Sequence, residues 1–154
     1  MVRRVLPLVG CLIVTGRGAE GSSAGEDALR LSGVTAGLCV HLGTMDGQLE
    51  GALVNGGRML VQGLALSDEA AIRARRHLLE KGVYGLASVS RVADVMQLPY
   101  QDRTVNLLFA DLDALTAAPA AGEMERVLGY EGVACLRKGG KLTRTVKPTP
   151  AGAL

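Results

Sequence analysis

Residues 38–54 limit the folds open to this chain more than any other stretch. Leu38-Cys39-Val40-His41-Leu42 is a short apolar run, a glycine-bearing turn spans 43–47, and Gln48-Leu49-Glu50-Gly51-Ala52-Leu53-Val54 resumes at helical spacing. That order is a buried strand feeding a helix, the repeating unit of a parallel sheet. The first backbone N–H groups of such a helix are unpaired and point outward, so a polar or anionic ligand group can rest on them where no side chain intervenes. Gly43 and Gly47 leave that approach open, whereas Met45 does not.

The unit recurs along the chain. The first helix, 46–54, starts on an acid suited to its positive end and stops at Asn55-Gly56-Gly57. Residues 58–66 read as a second strand covered on both faces. Ser67 then caps a helix with Asp68 and Glu69 in its first turn, and Ala71, Ile72, Ala74, Leu78 and Leu79 at inward spacing. A third strand is expected over 86–93, with Asp94 just past it, a fourth over 104–110 and a fifth over 132–136. A helix covers 123–128. Lys138-Gly139-Gly140-Lys141 turns into a last strand, 142–146. Ahead of the first strand, 21–25 reads as a flexible connector and 26–31 as a short helix. Strands alternating with helices predict an α/β fold with a doubly wound, mostly parallel sheet, minimal at its C-terminal end.

At 154 residues the chain suits one domain, and its 3% aromatic content leaves the core to aliphatic side chains and alanine. We expect a signal-peptide-like leader over 1–24, the α/β domain over 25–147 and a tail or linker over 148–154. The leader combines Arg3 and Arg4 with an apolar run and a stretch of small residues. It implies an exported or periplasmic protein with no membrane span once matured, the apolar run being too short to cross a bilayer. Leu8-Val9-Gly10-Cys11 resembles a lipoprotein cleavage box, and a frayed leader on a cytoplasmic protein is the alternative. A net charge of +2 with scattered basic residues argues against nucleic acid. Cys39 and Cys135 sit in apolar runs, where buried thiols fit better than a disulfide. No ligand cluster surrounds His41 or His77, so no metal is expected.

The motifs together resemble class I S-adenosylmethionine (SAM) dependent methyltransferases of the type 11 kind over about residues 37–136. Gly43, Asp46 and Gly47 match the first glycine motif, with His41 where the family has an acid and Met45 where it has a glycine. The ribose-binding acid after strand two falls on Ala65, and Asp68 or Glu69 could stand in for it. Val92-Ala93-Asp94-Val95-Met96-Gln97-Leu98-Pro99-Tyr100 resembles the adenine-binding turn. Asp102-Arg103-Thr104-Val105-Asn106-Leu107-Leu108 resembles the approach to strand four, and Glu125-Arg126-Val127-Leu128 the segment before strand five.

The resemblance implies SAM as cofactor, held by Gly43, Thr44, Asp46, Gly47, Leu66, Asp94 and Val95, and a small-molecule methyl acceptor. It assigns no catalytic residue. His41 reads as a packed strand-end histidine or, less simply, a base. A second implication is a catalytically inactive binding or structural module, since SAM is a cytoplasmic metabolite and the leader points outward. The chain is also similar to degenerate domains that precede β-propeller repeats in large exported bacterial proteins. By that likeness it would be the N-terminal part of a larger protein.

Overall fold

The computed structural model describes residues 20–152, so most of the leader-like segment, Cys11 included, lies outside the described residues. In chain order the elements are α1 (Glu20–Ser32), β1 (Gly37–Leu42), α2 (Gln48–Leu53), β2 (Met59–Ala65), α3 (Asp68–Glu80), β3 (Ala87–Arg91), β4 (Val105–Asp111), α4 (Ala121–Val127), β5 (Leu128–Lys138) and β6 (Lys141–Val146). The strands form one sheet in the order β3-β2-β1-β4-β5-β6. All neighbours are parallel except β5 and β6. The doubly wound, mostly parallel sheet expected from the sequence is therefore present. Its C-terminal end is minimal because β5 turns straight into β6 through Gly139 and Gly140, both at positive φ. A parallel partner would have required a crossover at that point.

Alternation along the strands divides the core. Cys39, Val61, Ala65, Leu107 and Phe109 face the layer of α1, α2 and α3, where they meet Ala28, Leu53, Ala74 and Leu78. Val40, Leu42, Leu64, Leu108 and Ala110 face α4 and the loops beside it, meeting Val95, Leu98, Leu115 and Val127. The second layer is thinner, and Leu60 on β2 is 56% exposed there rather than covered. On α3, Ser67 accepts from Ala70 N at 3.2 Å as expected. The inward residues are Ala70, Ala71, Ala74 and Leu78. Ile72 and Leu79 each lie one residue, about 100°, beyond that face and are 55% and 62% exposed.

The helix read from the sequence over 26–31 begins earlier, at Glu20. Gly25 belongs to it because α1 and α2 touch: a Cβ at Gly25 would lie 2.7 Å from the Ala52 Cβ. Gly25 serves helix packing rather than forming a flexible connector. At the other end β5 begins at Leu128, not at residue 132, through an irregular start where its register with β4 shifts between Val105 and Leu107. Glu131 takes a φ of 60° in that bulge.

The loop between β3 and β4 is held to α4 by one arginine. Arg126 donates to Leu98 O at 3.1 Å, Tyr100 O at 2.8 Å and Asp102 at 2.8 Å, and also pairs with Glu123. The Arg126 bond, with a second from Leu98 N, holds the Glu123 carboxyl down at about 2. The Tyr100 hydroxyl is buried beneath this loop without a partner, and burial pushes its phenol up. Removing an unsatisfied buried hydroxyl is favourable, so Tyr100→Phe should stabilise the domain by about 1 kcal/mol in urea unfolding. A loss of stability would show that the hydroxyl has a partner.

Candidate functional site

β1, β2 and β3 lie side by side, so the turns after them share one edge of the sheet, about 10 Å across from first to third. β1 also pairs with β4, which makes it the strand at which the order reverses. In doubly wound sheets a ligand lies in the crevice at that reversal.

The first turn is committed to the protein's own structure at most of its positions. Gly43 N and Thr44 N both donate to Leu64 O at 3.0 Å, folding the turn over the end of β2. Asp46, one residue ahead of the α2 N-cap Gly47, closes a local turn by accepting from Gln48 N at 3.0 Å and from Gln48 Nε2 at 3.1 Å. Met45 is 58% exposed, and its carbonyl accepts from Arg73 of α3 at 3.3 Å. Gly43 and Gly47 both take positive φ, 89° and 83°. The space each lacks a Cβ to fill is occupied by protein: Ala74 O would be 2.7 Å from a Cβ at Gly47, and Leu115 Cδ2 would be 2.8 Å from one at Gly43.

Beneath this turn lies a buried polar cluster. His41 Nδ1 donates to Glu50 Oε1 at 2.5 Å, and the Thr44 hydroxyl donates to the same carboxylate. The His41 ring meets Phe109 edge-on, with centroids 5.4 Å apart. Glu50 is 1% exposed. Burial alone would raise its carboxyl, but the His41 charge and the bonds from His41 and Thr44 outweigh that and hold it below the usual range. Gly63, opposite His41 across β1 and β2, makes room, since a Cβ there would collide with the Thr44 hydroxyl and the Glu50 carboxylate. His41 is thus packed and partnered, which gives the strand-end histidine of the sequence a structural role.

Turns two and three are less committed. Ala65 is fully buried among the α3 contacts, so no side chain there reaches a ligand hydroxyl, while Leu66 is half-buried. Asp68 lies exposed 3.8 Å from Arg91 Nε. Asp94 is exposed past β3, where its Oδ1 accepts from Met96 N at 2.9 Å. Val95 is buried in the cluster that also holds Leu98 and Leu115. Past β4, Asp111 pairs with Arg137 and Asp113 accepts from Gly139 N at 2.6 Å. A cavity of about 360 Å³ lies elsewhere, between α4 and the β5–β6 hairpin, lined by Met124, Leu128, Leu136 and Val146 among others. Among the described residues no group of three or more histidines, cysteines, aspartates or glutamates is placed to hold a metal. No helix among them is long and apolar enough to cross a membrane. Cys39 and Cys135 are free and buried, and burial raises both thiols, Cys135 to about 11.

Reading the residues in order misses Glu50, Gly63 and Leu115. The signal for the first two was present: an acid beside Leu49 and Leu53 on the inward side of a helix, a lone histidine in an apolar strand, and a glycine inside the next strand. Nothing local marks Leu115, which reaches Gly43 only through the fold.

No family model matches the sequence, and no curated protein matches it. Solved structures do. A SAM-dependent methyltransferase from Aquifex aeolicus is 19% identical, with a TM-score of 0.62 over 73% of this chain and 62% of that one. Geranyl diphosphate C-methyltransferase from Streptomyces coelicolor A3(2), solved with Mg2+, geranyl-S-thiolodiphosphate and S-adenosyl-L-homocysteine, is 19% identical, with a TM-score of 0.66 over 75% of this chain and 42% of that one. The cyclase SpnF is also 19% identical, with a TM-score of 0.64 over 75% and 43%. The chain spans about half the length of the structures it matches. At this identity the likeness shows the fold, which is that of class I SAM-dependent methyltransferases.

Proposed function

We propose that this domain binds SAM across the turns after β1, β2 and β3, as a methyltransferase-like domain acting on a small molecule. The observation that carries this reading is the strand order, which sets those turns beside one another at the reversal between β1 and β4. In support, two of the matched proteins are SAM-dependent or C-methyltransferases, one of them solved with S-adenosyl-L-homocysteine. The fold alone does not choose a reaction, since a cyclase shares it.

The residues present fit the adenosine end better than the methionine end. Asp94 has a second carboxylate oxygen beyond the one bonded to Met96 N, suited to an amine donor, and the half-buried Leu66 supplies an apolar wall, whereas the Val95 side chain is spent on the core at 2% exposure and does not reach a ligand. In the first turn Gly43 N and Thr44 N are taken by Leu64 O, and the Thr44 hydroxyl and both Asp46 oxygens already have partners, so of Gly43, Thr44, Asp46 and Gly47 the contact would fall to the backbone of Asp46 and Gly47. When bound, SAM supplies a methyl group activated on a sulfonium. This chain's contribution is to hold and align it.

With Ala65 in place of an acid and the His41 side chain buried against Glu50, two ligand contacts are missing. At about 1–3 kcal/mol each, they weaken binding by roughly thirtyfold to twenty-thousandfold. Calorimetry of the full chain with S-adenosyl-L-homocysteine should show saturable binding in the range of about 0.1–1 mM, lost in Asp94→Ala. No heat at several-fold higher ligand would sink the reading.

The commitments of the first turn favour a second reading: a catalytically inactive module of a larger, exported protein. Absence of ligand binding together with a mature mass lacking the leader would support it.

A further inference from the structure

We propose that Leu115 is the gate of this ligand site, a specificity-determining residue that stands against Gly43 and excludes ligands with an amino-acid tail until its side chain swings aside. The inference rests on the adenosyl reading above. Leu115 is 9% exposed and packs in one cluster with Leu42 and Leu64 at the ends of β1 and β2 and with Val95 and Leu98 beyond β3. It therefore bridges the first and third turns. Its Cδ2 fills the space that a Cβ on Gly43 would occupy, so a ligand packed against that side of Gly43 meets it first. At Gly47 the obstruction is helix backbone, which is fixed. At Gly43 it is the far end of a side chain on a loop, which can leave.

The strap that carries Leu115 is held by hydrogen bonds before the leucine and by the buried Pro119 after it. Leu112 N donates to Arg137 O at 2.8 Å, Ala114 N to Asp111 O at 3.1 Å, and Asp113 N to Asp111 Oδ1 at 3.1 Å. Asp113 in turn takes the Gly139 N–H, and Asp111 takes Arg137 Nε at 2.8 Å. These bonds tie residues 111–114 to the β5–β6 hairpin, and Thr116, Ala117 and Ala118 beyond them are exposed. The gate is held shut by the packing of the Leu115 side chain, and because Pro119 seats the strap beyond it, opening is a movement of that side chain. A ligand touching Gly43 must displace that side chain, so its apparent affinity falls by the fraction of molecules already open. A ligand confined to the Asp94 side has no such requirement.

The test uses S-adenosyl-L-homocysteine, which has the tail, and adenosine, which lacks it, titrated into wild type and Leu115→Ala. The variant should bind S-adenosyl-L-homocysteine about ten- to a hundredfold more tightly, the equivalent of no longer exposing a leucine, with adenosine altered less than about threefold. A ligand-free cycle checks the contact itself: Gly43→Ala should lower the melting temperature more in wild type than in Leu115→Ala. Equal tightening of both ligands, equal S-adenosyl-L-homocysteine binding by the two proteins, or an additive cycle overturns the gate while leaving the adenosyl reading standing. Failure of every protein to bind either ligand overturns both.

Discussion

Glu50→Ala should destabilise the domain by about 3–5 kcal/mol, the cost of leaving two buried donors, His41 Nδ1 and the Thr44 hydroxyl, without their shared acceptor beside a new cavity. That is a large share of the roughly 5–15 kcal/mol that holds a domain of this kind folded. The expectation follows from geometry: the carboxylate accepts from both His41 and Thr44 in a site opened by Gly63, and no solvent is at hand to replace it. Glu50→Gln keeps the shape and should cost less. His41→Leu, Thr44→Val and Glu50→Met together should come close to neutral, because apolar residues of similar volume satisfy such a site as well as a polar cluster does. Urea midpoints of the four proteins measure this, and an alanine variant losing less than about 1 kcal/mol would contradict the buried pair.

The same group sets an acid limit. Its carboxyl lies lower in the folded chain than its ordinary 4.5. Its contribution is therefore fully present above about 4.5 and is lost as pH falls through the folded value. Wild type should weaken over that interval more steeply than Glu50→Gln.

Gly47→Ala is the second large effect. The new Cβ would meet α3 backbone at 2.7 Å and would sit on a residue at φ 83°. Left-handed strain of about 1–2 kcal/mol and overpacking of about 1–3 kcal/mol together give about 2–5 kcal/mol. Gly56→Ala is the control, since φ there is 63° but nothing lies within 4 Å of the added methyl. It should show the strain alone. If the two variants lose the same stability in urea, the close approach of α3 to the first turn is wrong.

The architecture was legible because apolar runs and glycine stops are local. Ser67 with Asp68 and Glu69, and Asn55-Gly56-Gly57, each ended or began an element where the chain does. Two local readings went astray for physical reasons. Gly25 looked like a linker residue because glycine signals both freedom and close contact, and only the position of α2 decides between them. Ile72 and Leu79 looked inward because apolar character says nothing of a 100° offset. In the candidate site, Gly43 and Gly47 read as openings for a ligand. The structure uses the space beside each one, with α3 behind Gly47 and Leu115 over Gly43. Neither neighbour is near in sequence, so no local pattern could reveal which glycine faces backbone and which faces a movable side chain.

Among the described residues the sheet ends on β3 at one side and β6 at the other, each with an unmatched row of amide and carbonyl groups. Such rows invite a foreign strand to add on, the first event in ordered aggregation. β6 places Lys141 and Arg144 within six residues and is followed by Pro148, while β3 has only five residues and finishes on Arg91. Positive charge, brevity and a missing donor make both borders poor templates, so the molecule's lateral growth is opposed at the two places where its backbone would otherwise permit it.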